Sequence, residues 1–257
     1  MQYEKTSSQL NLLEQMQNIK ISPCRSFHTL AGSPIYQARF RAVEKFHKPG
    51  FAPVYDKDSD RNNKDSGYHI DFTGKALYKR RFTKVFGFYC DRATVADQNE
   101  YFHIDITGSK AHDHSYQWAG NYQEDVCVVR QNNQFFHVDM EGREIYSEKY
   151  DYAGDFKDDI AVIYRNGQAS HINNEGRLIH DRWYKKLGVF HKGYANAEDN
   201  NGWFHINREG KAIYEQRYKM VEPFYNGLAK VETFDGHLGQ IDVMGRMLVN
   251  IYTHKID

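Results

Sequence analysis

Six histidines stand at one position of a recurring heptapeptide: His28, His69, His103, His137, His171 and His205. Neutral imidazole is a metal ligand, a general base and a proton-gated switch, so a series of this kind carries the first chemistry to consider. Three copies open with His-x-Asp: His69-Ile70-Asp71, His103-Ile104-Asp105 and His137-Val138-Asp139. In His171-Ile172-Asn173 and His205-Ile206-Asn207 an amide replaces the carboxylate. Side chains alternate faces along a strand, so the two polar residues share one face and the aliphatic residue takes the other. Imidazoles stacked copy upon copy would form a row or ring able to hold Zn²⁺, another metal or an anionic ligand. The carboxylate two residues on would orient each ring. His69, His103, His137, His171 and His205 are the ligand-binding candidates on this reading. The competing reading is a structural ladder, each ring bonding a backbone carbonyl or an Asp of the next copy. A residue present in every copy is usually what the copy needs in order to fold. No residue is assigned a catalytic role.

Positions that break the symmetry are the second place to look. His112-Asp113-His114 replaces the usual aromatic in one copy and His180-Asp181 does so in another. His112, His114 and His180 are therefore metal candidates, provided that their turns meet in space; surface substitution is the plainer reading. Asp56-Lys57-Asp58-Ser59-Asp60-Arg61-Asn62 alternates carboxylates as a calcium loop does, but Arg61 and Gly67 stand where such a loop needs Gly and Glu. Rings beside cations, in Tyr78-Lys79-Arg80-Arg81 and Trp183-Tyr184-Lys185-Lys186, have the form that stacks on bases or sugars. Lys plus Arg equals Asp plus Glu at 34 each, which disfavours a dedicated nucleic-acid binder. No phosphate-binding loop, dinucleotide fingerprint, nucleophile elbow or His-Glu-x-x-His occurs, and this weakens the case for an enzyme.

The element that positions these residues is a tandem repeat. Gly74, Gly108, Gly142, Gly176 and Gly210 fall 34 residues apart, closing heptapeptides such as Phe102-His103-Ile104-Asp105-Ile106-Thr107-Gly108. Each copy then carries an [Asp/Asn]-x-x-Gly turn, a short strand ending in Tyr or His (Tyr36, Tyr78, His112, Tyr146, His180, Tyr214), and a ring four residues later. Last comes aromatic-x-x-[Gly/Asp]-x-small-x-apolar, as in Phe156 to Ile163 and Phe224 to Val231. Alternation of period two and the lack of any long helical stretch predict three or four short antiparallel strands per copy. The 19 Tyr and 16 Phe find their place mostly in the core that stacked copies share.

The chain is thus expected to be all-β. Residues 26–252 make six full repeats and a worn partial one from Gly239 (Gly239-Gln240-Ile241-Asp242-Val243-Met244-Gly245), and residues 253–257 make a tail. The first copy is eight residues longer than the period, the excess falling in a polar loop from Asp56 to Gly67. Residues 1–25 read as a short amphipathic helix that caps the array, with Thr6-Ser7-Ser8-Gln9 as capping box, Leu10, Leu13, Met16 and Ile19 as its apolar face, and Pro23 as its stop. Six compact units suit a propeller-like closed array, and the surplus half copy keeps an open β-solenoid as the alternative.

The pattern resembles the bacterial WG-type β-repeat, whose units read Gly-aromatic-Ile-Asp-x-x-Gly, then Tyr, then Phe-x-x-Gly-x-Ala-x-Val. The resemblance spans residues 26–250 and departs at the Trp-Gly pair: Trp203-Phe204, for example, precedes the motif, and His fills the slot before Ile. The resemblance implies a recognition or scaffold module that meets a protein partner or an associated enzyme, methyltransferase-like ones included. The alternative is a metal- or ligand-binding protein or enzyme that uses the histidine face. Three widely spaced cysteines, Cys24, Cys90 and Cys127, predict unpaired thiols in a reducing compartment. Neither an export signal nor a membrane-spanning run is visible, so a soluble cytoplasmic protein is expected, without a resident cofactor unless the histidines hold zinc.

Overall fold

A computed structural model describes residues 7–56 and 67–251. Within them the chain is all-β apart from one helix, Ser7–Glu14, and a 3-10 turn, Met16–Asn18. Neither is long and apolar enough to cross a membrane. Thr6 of the expected capping box, the calcium-like run beyond Asp56, and residues 252–257 lie outside the described residues.

The helix and the turn after it put most of the expected apolar face inward. Leu12, Leu13, Met16 and Ile19 pack on the core, whereas Leu10 is 50% exposed. Gln9 is buried instead, and its amide donates to Asp71 Oδ2 at 3.4 Å. A polar contact to the sheet thus fixes the helix's rotation, which a count of apolar spacings does not include.

The strands form small antiparallel sheets whose phase differs from that of the sequence repeat. Tyr152–Ala153 pairs with Ile160–Arg165, which pairs with Gln168–Asn173. Lys186–Leu187, Ala195–Asp199 and Gly202–Ile206 repeat the arrangement. Apart from the first sheet, where His28–Leu30 lies between Lys20–Ile21 and Ser33–Pro34, the first two strands of each sheet come from the tail of one copy and the third is the motif strand of the next. The worn copy therefore completes a sheet. Met220–Val221 and Leu228–Glu232 precede it, Leu238–Asp242 is its motif strand, and Met247–Ile251 adds a fourth. In four sheets a two-residue turn joins the second strand to the histidine strand. Asn166 and Gly167, at φ 53° and 74°, close Ile160–Arg165 onto Gln168–Asn173, the left-handed pair that matches strand twist. Asp158-Asp159 adopts the same region at φ 51° and 62°.

The chain folds as two compact units. Met1–Asn133 with Val138–Glu144 forms one, and Gln134–His137 with Ile145–Asp257 the other. In the first, Val43, Val54, Ile70, Phe82, Val95 and Ile104 are fully enclosed. In the second, Ala169, Ala197, Ile206, Val231 and Ile241 are. Both faces of the histidine strands are covered: His69 and Ile70, on opposite faces, are each at 0% exposure. Removing apolar surface from water on both sides is the main drive for stacking such thin sheets.

Candidate functional site: a histidine ladder and a terminal cavity

Four of the repeated histidines, His28, His69, His137 and His205, are held by the same three groups. His69 Nδ1 lies 2.5 Å from the Tyr78 hydroxyl, and His69 Nε2 lies 2.6 Å from the Phe86 carbonyl. His205 repeats this with Tyr214 at 2.5 Å and the Glu222 carbonyl at 2.9 Å. His137 does so with Tyr146 and with the Gly154 carbonyl at 2.8 Å. His28 does so with Tyr36 at 2.5 Å and the Glu44 carbonyl at 2.8 Å. A carbonyl only accepts, so Nε2 carries the proton and Nδ1 accepts from the tyrosine O–H. The third group is an aromatic lid. Phe88, Phe156, Phe190 and Phe224 set their ring centroids 4.6, 4.4, 4.5 and 4.2 Å from His69, His137, His171 and His205.

The carbonyl and the lid belong to the first strand of the following sheet and to the turn after it, so each imidazole ties one sheet to the next. Burial favours the neutral ring. The pKa of His69, His137, His171 and His205 is lowered to about 4, with desolvation as the largest cause. The same burial raises the hydroxyl of Tyr78 above its ordinary value. The turn glycine of the next copy closes the assembly. A Cβ on Gly108 would lie 2.5 Å from Tyr78 Cγ, and one on Gly176 2.5 Å from Tyr146 Cγ.

The asymmetric histidines are replacements within this ladder. His112 and His180 occupy the tyrosine position, their Nε2 atoms 3.2 and 3.1 Å from Nδ1 of His103 and His171. With Nδ1 of the inner ring accepting, the outer ring donates from Nε2 and its own Nδ1 is left as an acceptor. For His180 the Arg182 N–H fills it at 3.3 Å. For His112 the Nδ1 atom is buried without a hydrogen-bond partner. His103 has a further neighbour, since the Cys127 thiol lies 3.4 Å from its Nε2 and donates to the Gly120 carbonyl at 3.2 Å. His114 is exposed and stacks on Tyr116 with ring centroids 6.5 Å apart.

These placements correct the picture of a polar histidine face. His69, His103, His137, His171 and His205 are all at 0% exposure, with both ring nitrogens engaged inside the fold. The expected carboxylate partner does not orient the ring. Asp71 Oδ1 accepts from the Thr73 and Lys75 N–H groups at 2.8 and 3.1 Å, and Asp105 Oδ1 does likewise with Thr107 and Ser109. The acid two residues after the histidine thus serves its own turn. Among the described residues no group of three or more His, Cys, Asp or Glu is placed to hold a metal, His112, His114 and His180 included.

The open site lies at the last sheet. Gln240 stands where six copies have histidine, and the space beside it is a cavity of about 620 Å³ lined by His191, Glu222, Phe224, Tyr225, Asn226, Lys230 and others. Tyr225 is 70% exposed, with Lys192 Nζ 5.0 Å from its ring centroid. The sequence held one hint of this site, the loss of histidine in the worn copy. The aromatic lids, by contrast, were visible as a recurring position but not as partners of the histidines, because spacing along the chain does not say which sheet a ring meets.

No curated protein matches this sequence. Among solved structures the chain is similar to the computationally designed protein Ika8, at 16% identity over 91% of this chain and 83% of that one, with a TM-score of 0.50. It is also similar to BamB from Moraxella catarrhalis, at 14% identity over 92% and 86% of the two chains, again with a TM-score of 0.50. At such identities the likeness concerns fold alone, and the fold is propeller-like. The family described as the WG containing repeat matches residues 138–168 and 206–235, and the chain accordingly carries WG-type repeats in these two stretches.

Proposed function

We propose that this chain is a non-catalytic recognition or scaffold module that presents a turn surface to a protein partner or an associated enzyme. One observation carries the reading: the residue after each aromatic lid takes four different types over six copies, while an aromatic lid and the histidine behind it recur in all six. The series runs His47, Tyr89, Gln123, Lys157, His191, Tyr225, and none of these residues is buried. A constant interior beneath a varied exterior is how a repeat scaffold gives each copy its own contact. Tyr225, flanked by Glu222, Lys230 and the cavity, is its most exposed aromatic, the residue type that most often anchors an interface. Repeat family and propeller-like neighbours favour the same class of role. The free thiols of Cys24, Cys90 and Cys127 support a cytoplasmic setting.

The experiment is a pull-down from the native host with the tagged chain, run beside Tyr225→Ala and Lys230→Glu variants, with metal content measured on the same material. A stoichiometric protein captured by the parent chain and lost from variants of unchanged melting temperature supports the module. Capture of no protein, with about one metal or small molecule per chain, overturns it in favour of the histidines.

A further inference from the structure

The terminal sheet ends in a strand unlike any other outer segment of the array. In the first sheet the chain beyond the histidine strand adds only the two-residue strand Ser33–Pro34, and in the others it touches the sheet through isolated bridges, such as Tyr101↔Tyr116 and Ile104↔Lys110, and then departs. Met247–Ile251 instead runs as a continuous strand, hydrogen-bonded to Leu238–Asp242 on one side; its other edge pairs with no strand among the described residues. Three consecutive residues, Met247, Leu248 and Val249, are 39%, 54% and 46% exposed, so both faces of the strand show apolar side chains to water. Met244, in the turn that leads into the strand, is 66% exposed. The devices that normally protect an edge, a lysine, a proline or an inward-pointing charge, do not occur between residues 247 and 251. The one register shift, between Gln240 and Ile241, sits at the Met247 end and leaves the remainder regular.

A free edge of N–H and C=O groups is satisfied by an extended strand, and the chemistry of this edge selects which one. We propose that Met247–Ile251 pairs antiparallel with the same strand of a second copy of this chain, about a twofold axis near Val249. An antiparallel pair of identical strands is self-complementary by symmetry, so one apolar strand supplies both sides. The strand bears no charge, so the twofold sets no like charges opposite one another, the arrangement that most disfavours self-pairing. The chain's equal numbers of acidic and basic residues add no long-range repulsion. This surface is distinct from the Tyr225 turn, and the proposal stands apart from the recognition role.

The test is sedimentation equilibrium on the full chain across a concentration series, for the parent protein and for Val249→Lys and Val249→Glu. The parent is expected to dimerise. Each variant is expected to self-associate about tenfold more weakly or less, because like charges then face each other across the axis. An equimolar mixture of the two variants is expected to restore the dimer, which a merely misfolded variant cannot do; circular dichroism confirms that each is folded. A parent chain monomeric at the highest concentration, a dimer unaffected by Val249→Lys, or a mixture that fails to associate would each overturn the proposal.

Discussion

The Tyr78 hydroxyl donates to His69 Nδ1 at 2.5 Å, and the far side of the same imidazole donates to a carbonyl at the end of the next sheet's first strand. One ring thus satisfies an O–H and a C=O that burial would otherwise leave unpaired. A buried polar group deprived of its partner loses more than the bond was contributing.

Removal of a ladder histidine therefore strands two groups and opens a cavity beneath the lid. His137→Ala is expected to lower stability by about 3–5 kcal/mol, as large core truncations do. His137→Gln should lose less, since Gln240 already fills the position in the last copy. Urea denaturation of the purified variants measures both. A neutral His137→Ala would refute a structural role.

His112→Tyr restores the residue that four other copies place against the inner histidine and removes the buried, unpartnered Nδ1. It should stabilise the fold by about 1 kcal/mol, the lower end of the penalty for an unsatisfied buried group. His180→Tyr should gain less, because the Arg182 N–H already fills its Nδ1. Comparison of the two denaturation midpoints checks the order.

Acid should unfold the protein early. An unfolded histidine takes a proton near its ordinary value of 6.5, whereas His69, His137, His171 and His205 hold out to about 4 in the fold. Between those limits the unfolded chain binds more protons, so stability falls as pH drops. Above about pH 6.5 the contribution is fully present. Below it, each ring loses up to about 1.4 kcal/mol per pH unit. Melting temperatures recorded from pH 7.5 to pH 4.5 should decline steeply below 6.5. A flat profile down to pH 4.5 would contradict neutral, buried rings.

Two glycines separate backbone strain from packing. Gly108 and Gly167 have φ of 78° and 74°, but only at Gly108 would a Cβ strike a ring, at 2.5 Å from Tyr78 Cγ; at Gly167 nothing lies within 4 Å. Gly167→Ala is expected to cost about 1 kcal/mol, for the left-handed backbone alone. Gly108→Ala should cost about 1–3 kcal/mol more, the usual range for overpacking a core. Thermal unfolding of the pair measures the difference.

Much of this architecture was legible in the residues. The 34-residue glycine period, the strand alternation and the turn chemistry of [Asp/Asn]-x-x-Gly all have local causes, and local sequence records them. What was not legible concerns which elements meet. The phase of the sheets is hidden because a tandem repeat reads the same from any starting point. The worn copy looked like a surplus half only because its first two strands, Met220–Val221 and Leu228–Glu232, lie in the copy before it. Asp71 and Asp105 looked like partners of histidine because they stand two residues away, yet nearer backbone N–H groups claim them. At the helix Leu13, Met16 and Ile19 pack as expected and Leu10 does not, because Gln9 is drawn inward by Asp71, a residue far along the chain.

The offset between copy and sheet bears on how such an array can lengthen or shorten over time. A genetic duplication copies 34 residues from an arbitrary starting point, whereas the folding unit has fixed edges. Because each sheet draws on two neighbours, any breakpoint that preserves the period rebuilds whole sheets on both sides of the join, and the two edges need not coincide. An insertion or loss that is not a multiple of the period has no such freedom unless it falls in a loop. The extra residues between Asp56 and Gly67, set between a second strand and its histidine strand, took that course, as did the one residue by which the turn between Glu232 and Leu238 lengthens the last copy.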